Sequence, residues 1–214
     1  MQDFMQDRNY LLTTIHQYSK KLTALFHQNY NEQNEIIHNF NQFINTNPNC
    51  FSRDNLPGHI TGSAFVVNQN FDKVLFTYHA KLKKWLQLGG HAEGEIIVQN
   101  VALKEACEES GIDEFDFIDI LNFPAISTTT HFHEIIPFDL DIHLIPERKT
   151  EPAHYHYDVR FILVAKHEDF KISEESLDLK WISLNDVFNY TMEKSTLRQV
   201  HKVKYLKDLL ILKN

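Results

Sequence analysis

The most informative segment of the chain is Leu88-Gly89-Gly90-His91-Ala92-Glu93-Gly94-Glu95, followed by Ala102-Leu103-Lys104-Glu105-Ala106-Cys107-Glu108-Glu109-Ser110-Gly111-Ile112. The pattern predicts the end of a strand, a glycine-rich loop and an acidic helix that ends at Gly111. Glu105, Glu108 and Glu109 are spaced i, i+3 and i+4, so they project from one face of that helix. Like charges at this spacing oppose helix formation by about 0.2–0.5 kcal/mol per pair, so we expect a cation beside them.

This acidic face has two possible interpretations. Adjacent glutamates on a helix are usually solvated surface, with no ligand. Here, however, the opposite face carries an apolar stripe that can pack on a core, formed by Val101, Ala102, Ala106 and Ile112. The Gly89-Gly90 pair also lets backbone carbonyls come close to an ion. Hard divalent ions such as Mg²⁺ and Mn²⁺ prefer carboxylate and carbonyl oxygens, so a metal site is the favoured interpretation.

The whole segment resembles the Nudix box, the signature G-x5-E-x7-R-E-U-x-E-E-x-G-U of Nudix hydrolases, where U is aliphatic. Counted from Gly90, the second half of the box is matched from residue 104 to residue 112. Lys104 replaces the arginine and offers a point charge instead of a fork. Ile96 stands where a glutamate is expected, and Glu95 comes one residue early. The Gly-Gly-His-x-x-Gly-Glu form resembles a bacterial subgroup of these proteins.

This resemblance implies an α/β fold of the Nudix type over roughly residues 60–212, an α/β/α sandwich with a mixed sheet. It implies hydrolysis of a phosphoanhydride, commonly in a nucleoside diphosphate linked to another group. The implied Mg²⁺ or Mn²⁺ ligands are the Gly90 carbonyl, Glu105, Glu108 and Glu109. Lys104 would orient the loop through Glu93 or Glu95, and the general base is one of the glutamates or a residue outside the box.

Two other functions stay open at this point. The first is a non-catalytic Nudix-fold module that senses a nucleotide without hydrolysing it. The displaced Glu95 is the feature that favours this alternative. Isopentenyl diphosphate isomerases share the fold, but the intact Glu108-Glu109 pair favours hydrolysis. No cysteine in the strand pattern offers itself as an isomerase acid either.

Composition excludes several classes of protein. The chain has 214 residues, of which 43% are hydrophobic and 23% charged, so we expect a globular fold. The net charge of −8 disfavours binding to nucleic acid polymers. A small-molecule diphosphate or nucleotide can still bind as partner, because metal ions would invert the local sign of the charge. Cys50 and Cys107 are expected to be reduced thiols. We find no apolar run of the ~20 residues that a membrane span needs and no signal peptide, so a cytoplasmic protein is expected.

Periodicity separates residues 1–55, an N-terminal helical hairpin with a linker, from the strand-rich residues 56–214. The resemblance implies that residues 56–214 form the Nudix hydrolase domain. The hairpin can pack on the catalytic domain, shape the substrate mouth or form a homodimer surface. Strands are predicted at 62–67, 74–79, 85–88, 115–121, 138–145, 154–165 and 179–182. A short helix is predicted from residue 183, and an amphipathic helix over 196–212.

Histidines and acids alternate on two predicted strands. His154, His156 and Asp158 share one face of their strand, as Asp139, Asp141 and His143 do on theirs. If the 146–152 loop joins the two strands as a hairpin, both rows lie on one face of the sheet. That face is a half-exposed polar surface, a substrate contact or a transition-metal site.

The residues predicted to contact substrate are His91, Glu93, Glu95, His143, His154, His156, Asp158 and Arg160. Arg148 and Lys149 can clamp phosphate oxygens or form surface ion pairs. His91 faces either the phosphates and metal or solvent. His131-Phe132-His133-Glu134 is predicted to be a lid or specificity loop.

Overall fold

A computed structural model gives the conformation of residues 3–26, 31–123, 135–148, 151–174 and 176–211. Helices α1 (Asp3–Phe26) and α2 (Asn31–Thr46) come first in these ranges. The strands are β1 (Gly58–Val67), β2 (Lys73–His79), β3 (Trp85–Leu86), β4 (Leu88–His91), β5 (Phe115–Phe117), β6 (Asp139–Ile145), β7 (His154–Ala165) and β8 (Ser176–Ser183). Helix α3 (Val98–Ser110) lies between β4 and β5, and α4 (Lys194–Ile211) follows a 3-10 turn at Val187–Asn189.

The centre of the sheet is the parallel pair of β1 and β7, which runs in register from Gly58 beside Tyr155 to Val67 beside Val164. Every residue of β1 is buried, as is usual for a parallel pair covered on both faces. The remaining described strand pairs are antiparallel: β1 pairs with β2 and β4, β2 with β3 and β8, and β7 with β5 and β6. The sheet is therefore mixed, as predicted.

Helices cover the two faces of this sheet. A Cβ atom added to Gly62 would lie 2.8–3.0 Å from Val98 and Val101, so α3 packs directly on that face of β1. Lys202 of α4 reaches Asp139 of β6 from the opposite face, with 2.6 Å between Nζ and Oδ1. The predicted α/β/α sandwich is confirmed.

The helical hairpin packs against β6 and β7. Gln33 of α2 donates from Nε2 to the Leu140 carbonyl of β6 at 3.1 Å. Phe43 stacks on Tyr157 of β7 with ring centroids 3.7 Å apart. Because an open strand edge invites pairing with another chain, the Gln33 contact protects β6. Packing on the sheet is thus one role of the hairpin; a homodimer surface and a domain boundary near residue 55 stay predictions.

Some element boundaries differ from those predicted. The strand beginning at Phe115 ends at Phe117 instead of residue 121, because the Asp119 carboxylate accepts the backbone N–H groups of Leu121 and Asn122 and forms a turn. The strand expected at 85–88 divides, and its second part continues through both glycines to His91. The described helices include none that is long and apolar enough to cross a bilayer.

Candidate active site

Helix α3 carries the acidic face and is fixed by its other side. Val98, Val101, Ala102 and Ala106 are buried beneath it. The helix ends where Gly111 adopts φ 67°, a left-handed conformation that suits glycine, and donates its N–H to the Cys107 carbonyl at 2.8 Å. This anchoring sets the direction in which the glutamates project.

Glu105 and Glu109 converge on the Gly89-Gly90 turn. The Gly89 N–H donates to Glu109 Oε1 at 2.8 Å, and Glu109 is only 9% exposed. A Cβ atom on Gly90 would lie 2.6–2.9 Å from the carboxylate atoms of Glu105, so this close approach requires glycine. Two carboxylates from adjacent helical turns are therefore held against one backbone bend.

Glu108 lies further out on the same helix. Its side chain is 60% exposed and forms an ion pair with Lys104, with 3.0 Å between Oε2 and Nζ. Lys104 is also 3.4 Å from Glu105 Oε1. The hydrogen bond to Glu108 and the charge of Glu105 raise the pKa of Lys104. Lys104 thus neutralises part of the acidic face, and the structure differs here from the prediction that it would engage Glu93 or Glu95.

Glu95 has a defined role in the loop. Its Oε1 atom accepts the N–H of Ile97 at 2.8 Å, immediately before α3 begins. Acidic groups near a helix N-terminus are stabilising, because free N–H groups point toward them. The loop reaches this position through positive φ angles at Glu93 (51°) and Gly94 (90°). The early glutamate therefore supports the start of the acidic helix α3.

The donor set on α3 fits a hard divalent ion. Glu105 and Glu109 offer carboxylate oxygens within a partly enclosed bend, and Glu108 offers a third from the exposed turn. Mg²⁺ and Mn²⁺ favour such oxygen ligands. The structure brings together the predicted residues Lys104, Glu105, Glu108 and Glu109 with the Gly90 turn; their roles as ligands and catalysts stay predictions.

The two polar rows on β6 and β7 lie side by side, as the hairpin prediction required. Asp141 is opposite Asp158, and His143 is opposite His156. Arg160 lies at the centre, 2.7 Å from Asp158 Oδ2, 2.9 Å from Asp141 Oδ2 and 3.5 Å from Asp139 Oδ2. Arg160 is 5% exposed. Its guanidinium is thus paired with protein carboxylates inside the fold.

These rows do not meet the acidic face of α3. Thr61 and Ser63 of β1 both donate to Asp158 Oδ1, at 2.9 and 2.7 Å, whereas Gly62 between them faces α3. Successive residues of a strand point to opposite faces. Asp158 and its neighbours therefore lie across the sheet from Glu105, and the predicted substrate contacts of His143, His154, His156, Asp158 and Arg160 stay predictions for that opposite face.

His91 belongs to the same opposite face. Gly90 faces Glu105, whereas the ring of the next residue, His91, lies 4.9 Å from His59 and 5.1 Å from His156 between centroids. Its Nδ1 atom is 3.9 Å from Glu93 Oε1, and Glu93 is 63% exposed at its side chain. The His91 ring thus packs among imidazoles.

His59 is a polar residue that the sequence analysis did not single out. It is 1% exposed and lies near the start of β1. Burial, with nearby His91 and His154, lowers the pKa of His59 to about 4. Burial and the surrounding imidazoles also lower the pKa of His156 to about 2. The alternation of His59, Thr61 and Ser63 in the sequence could have placed His59 on the strand. Strand β1 begins at Gly58, four residues before its predicted start.

Arg148 pairs through its backbone with Glu151 in an isolated bridge. Lys149 and the predicted lid, His131-Phe132-His133-Glu134, lie outside the described residues. Glu151 of this loop forms an ion pair with Arg53, which lies in the turn region before β1, with 3.2 Å between Oε1 and Nη2.

The Gly90→Ala variant should bind Mn²⁺ about 10–100-fold more weakly, the effect expected when a group that orients ligands is displaced. The added methyl group would push the Glu105 carboxylate away from the bend. Isothermal titration with Mn²⁺ measures the change. Glu35→Gln is the control, because Glu35 is an exposed glutamate on α2. Equal affinities of the two variants would contradict this role for Gly90.

Comparison with known proteins agrees with the geometry. The crystal structure of a Nudix-family hydrolase from Clostridium perfringens is 29% identical and matches 71% of this chain and 97% of that chain, with a TM-score of 0.51. The dihydroneopterin triphosphate pyrophosphohydrolase of E. coli is 16% identical and matches 67% of this chain and 92% of that chain, with a TM-score of 0.50; it supports the fold alone. No protein-family profile and no curated protein matches the sequence.

The fold and the site define a class: α/β/α sandwiches in which a carboxylate-bearing helix follows a glycine turn at the end of a strand. Within that class, the chain belongs to the Nudix hydrolase superfamily. The predicted resemblance to this superfamily is thereby confirmed, whereas the bacterial subgroup with the Gly-Gly-His form of the box stays a prediction.

Proposed function

We propose that this protein is a divalent-metal-dependent hydrolase that cleaves the phosphoanhydride bond of a small diphosphate, such as a nucleoside diphosphate linked to a second group, in the cytoplasm. The observation that supports the proposal best is the convergence of Glu105 and Glu109 on the Gly89-Gly90 bend. The net charge of −8 favours a small substrate over a polymer.

Each residue of the cluster has a chemical role in this proposal. Glu105 and Glu109 would hold Mg²⁺ or Mn²⁺, with Glu108 as a third ligand and the Gly90 carbonyl as a fourth. Such ions neutralise phosphate oxygens and lower the pKa of an attacking water. Lys104 limits the repulsion among the glutamates while the site is empty of substrate. Water oxygen bonds to phosphorus, the bridging oxygen leaves with the other phosphate, and a carboxylate of the cluster can accept the released proton.

The test is a panel of diphosphate compounds incubated with the purified chain in Mg²⁺ or Mn²⁺, with inorganic phosphate measured after coupled phosphatase treatment. We expect at least one compound to be cleaved, cleavage to stop on addition of a chelator and to return with excess metal. Melting temperatures measured in parallel report nucleotide binding. If a nucleotide raises the melting temperature and no compound of the panel yields phosphate with either metal, the result would contradict the proposal and favour the sensing module.

A further inference from the structure

Imidazole rings from three strands meet on the sheet face opposite α3. His59 of β1 lies directly beside His156 of β7 in the parallel register, and Thr61 of β1 lies opposite His91 of β4. The ring centroids of His59 are 4.9 Å from those of both His91 and His156. The strand pairing itself therefore assembles the three rings.

The spacing of the ring nitrogens suits a metal ion. His59, His91 and His156 each offer one nitrogen, and these atoms all lie within 4.8 Å of one another. Zinc binds histidine nitrogen at about 2.0–2.1 Å in tetrahedral geometry, which places two ligand nitrogens about 3.4 Å apart. Small side-chain rotations of His91 and His156, both only partly buried, would close that difference.

His59 supplies an independent reason to expect a ligand. Both of its ring nitrogens are buried, and neither has a hydrogen-bond partner among the described residues. A buried polar group without a partner is destabilising, because it has lost its hydrogen bonds to water. A metal ion bound to one of these nitrogens would remove part of this destabilisation.

His154 behaves as a histidine does in a metal site. Its Nδ1 is 2.8 Å from the Pro152 carbonyl, which can only accept, so Nδ1 carries the proton. In the neutral ring, Nε2 is then left with its lone pair, and it lies 3.3 Å from His156 Nε2. Histidines that ligate metals commonly donate their second nitrogen to a carbonyl in this way. His154 would have to move to complete a fourth position, because the nitrogens that all lie within 4.8 Å of one another belong to His59, His91 and His156.

We propose that His59, His91 and His156 form a second metal site, for Zn²⁺ or a similar transition-metal ion, with the fourth position open to His154 or water. This site is chemically distinct from the carboxylate cluster, because imidazole favours zinc and its neighbours whereas carboxylates favour Mg²⁺ and Mn²⁺. Gly90 and His91 face opposite sides of β4, so the two sites lie back to back across one strand. A bound ion would join β1, β4 and β7 beside the glycine turn.

The test uses the full chain stripped of metal, saturated with Mg²⁺, and titrated with Zn²⁺ in competition with a chromophoric chelator. We expect one Zn²⁺ per chain and a higher melting temperature in its presence. His91→Gln and His156→Gln should each weaken Zn²⁺ binding by about a hundredfold or more, since even groups that merely orient ligands are worth about 10–100-fold. Co²⁺ should give the absorption spectrum of a tetrahedral site in wild type and lose it in both variants.

Two controls separate this site from others. His201→Gln removes an exposed histidine on α4 and should leave Zn²⁺ affinity unchanged. Glu109→Gln should also retain it, because Glu109 lies across β4. Equal Zn²⁺ affinity of wild type, His91→Gln and His156→Gln would overturn the proposal, as would loss of Zn²⁺ binding in Glu109→Gln alone. Neither result depends on whether the chain is a hydrolase.

Discussion

The Glu109→Gln variant should lose about a thousandfold or more of its turnover on any diphosphate that the wild type cleaves. A bound metal ion contributes several kcal/mol to stabilising charge in the transition state, and about 4 kcal/mol corresponds to a thousandfold in rate. Glutamine keeps the shape of the side chain and can still accept the Gly89 N–H that Glu109 Oε1 accepts at 2.8 Å. The loss should therefore come from the missing charge, and the fold should persist.

Steady-state assays in Mg²⁺ and Mn²⁺ would measure this loss, with circular dichroism and thermal unfolding confirming that the variant is folded. Glu35→Gln is the matched control, since Glu35 is an exposed helical glutamate on α2 and its change alters the net charge equally. We expect wild-type turnover from Glu35→Gln. Wild-type activity of Glu109→Gln on every cleaved substrate would show that the metal assignment is wrong.

The acidic face could be predicted from sequence because it depends on one helix. Three glutamates at helical spacing and Gly111 at the end of the helix follow local rules that hold wherever the helix lies. Their convergence on Gly90 also follows from the resemblance to the Nudix box. The role of Glu95 could not be predicted in this way. It depends on positive φ angles at Glu93 and Gly94. A positive φ is uncommon for a glutamate, so local sequence rules do not predict it at Glu93.

The histidine cluster shows a second limit. Alternation correctly placed His154, His156 and Asp158 on one face of their strand, and the antiparallel pairing with β6 followed from a short connecting loop. The parallel neighbour of β7 is β1, which is about ninety residues away in sequence. The pairing of His59 with His156 is therefore a consequence of sheet topology, and single-strand periodicity does not contain it. The same topology, with α3 on one face, separates these histidines from Glu105.

The Asp139→Asn variant should be destabilised by about 3–5 kcal/mol, the cost of leaving buried charges without their partner. Asp139 is fully buried and contacts Lys202 at 2.6 Å and Arg198 at 2.9 Å, with Arg160 at 3.5 Å. Asparagine would fill the same volume but carry no charge. The three cations would then have only Asp141 and Asp158 as nearby carboxylates. Urea unfolding would measure the difference, and the melting temperature should fall by on the order of 10 °C.

Asp178→Asn, on the exposed side of β8, is the control and should unfold like wild type. The double variant Asp139→Asn/Lys202→Met should recover part of the loss, because it removes the cation that Asp139 contacts most closely. Unchanged stability of Asp139→Asn would show that these contacts do not bear on stability. No recovery in the double variant would show that the unpaired Lys202 charge is not a source of the loss.

The same network should make wild-type stability fall in acid. Burial alone would raise the pKa of Asp139, but Lys202, Arg198 and Arg160 outweigh burial and lower it. In Asp141, burial is outweighed by Arg160 and His143, which lower its pKa to about 2. A carboxylate with a lowered pKa in the folded state stabilises fully above its unfolded value, about 3.9, and loses that contribution as pH falls through the folded value. Unfolding free energy measured from pH 5 to pH 2.5 should therefore decline in wild type and decline less steeply in Asp139→Asn, which has already lost one of these carboxylates.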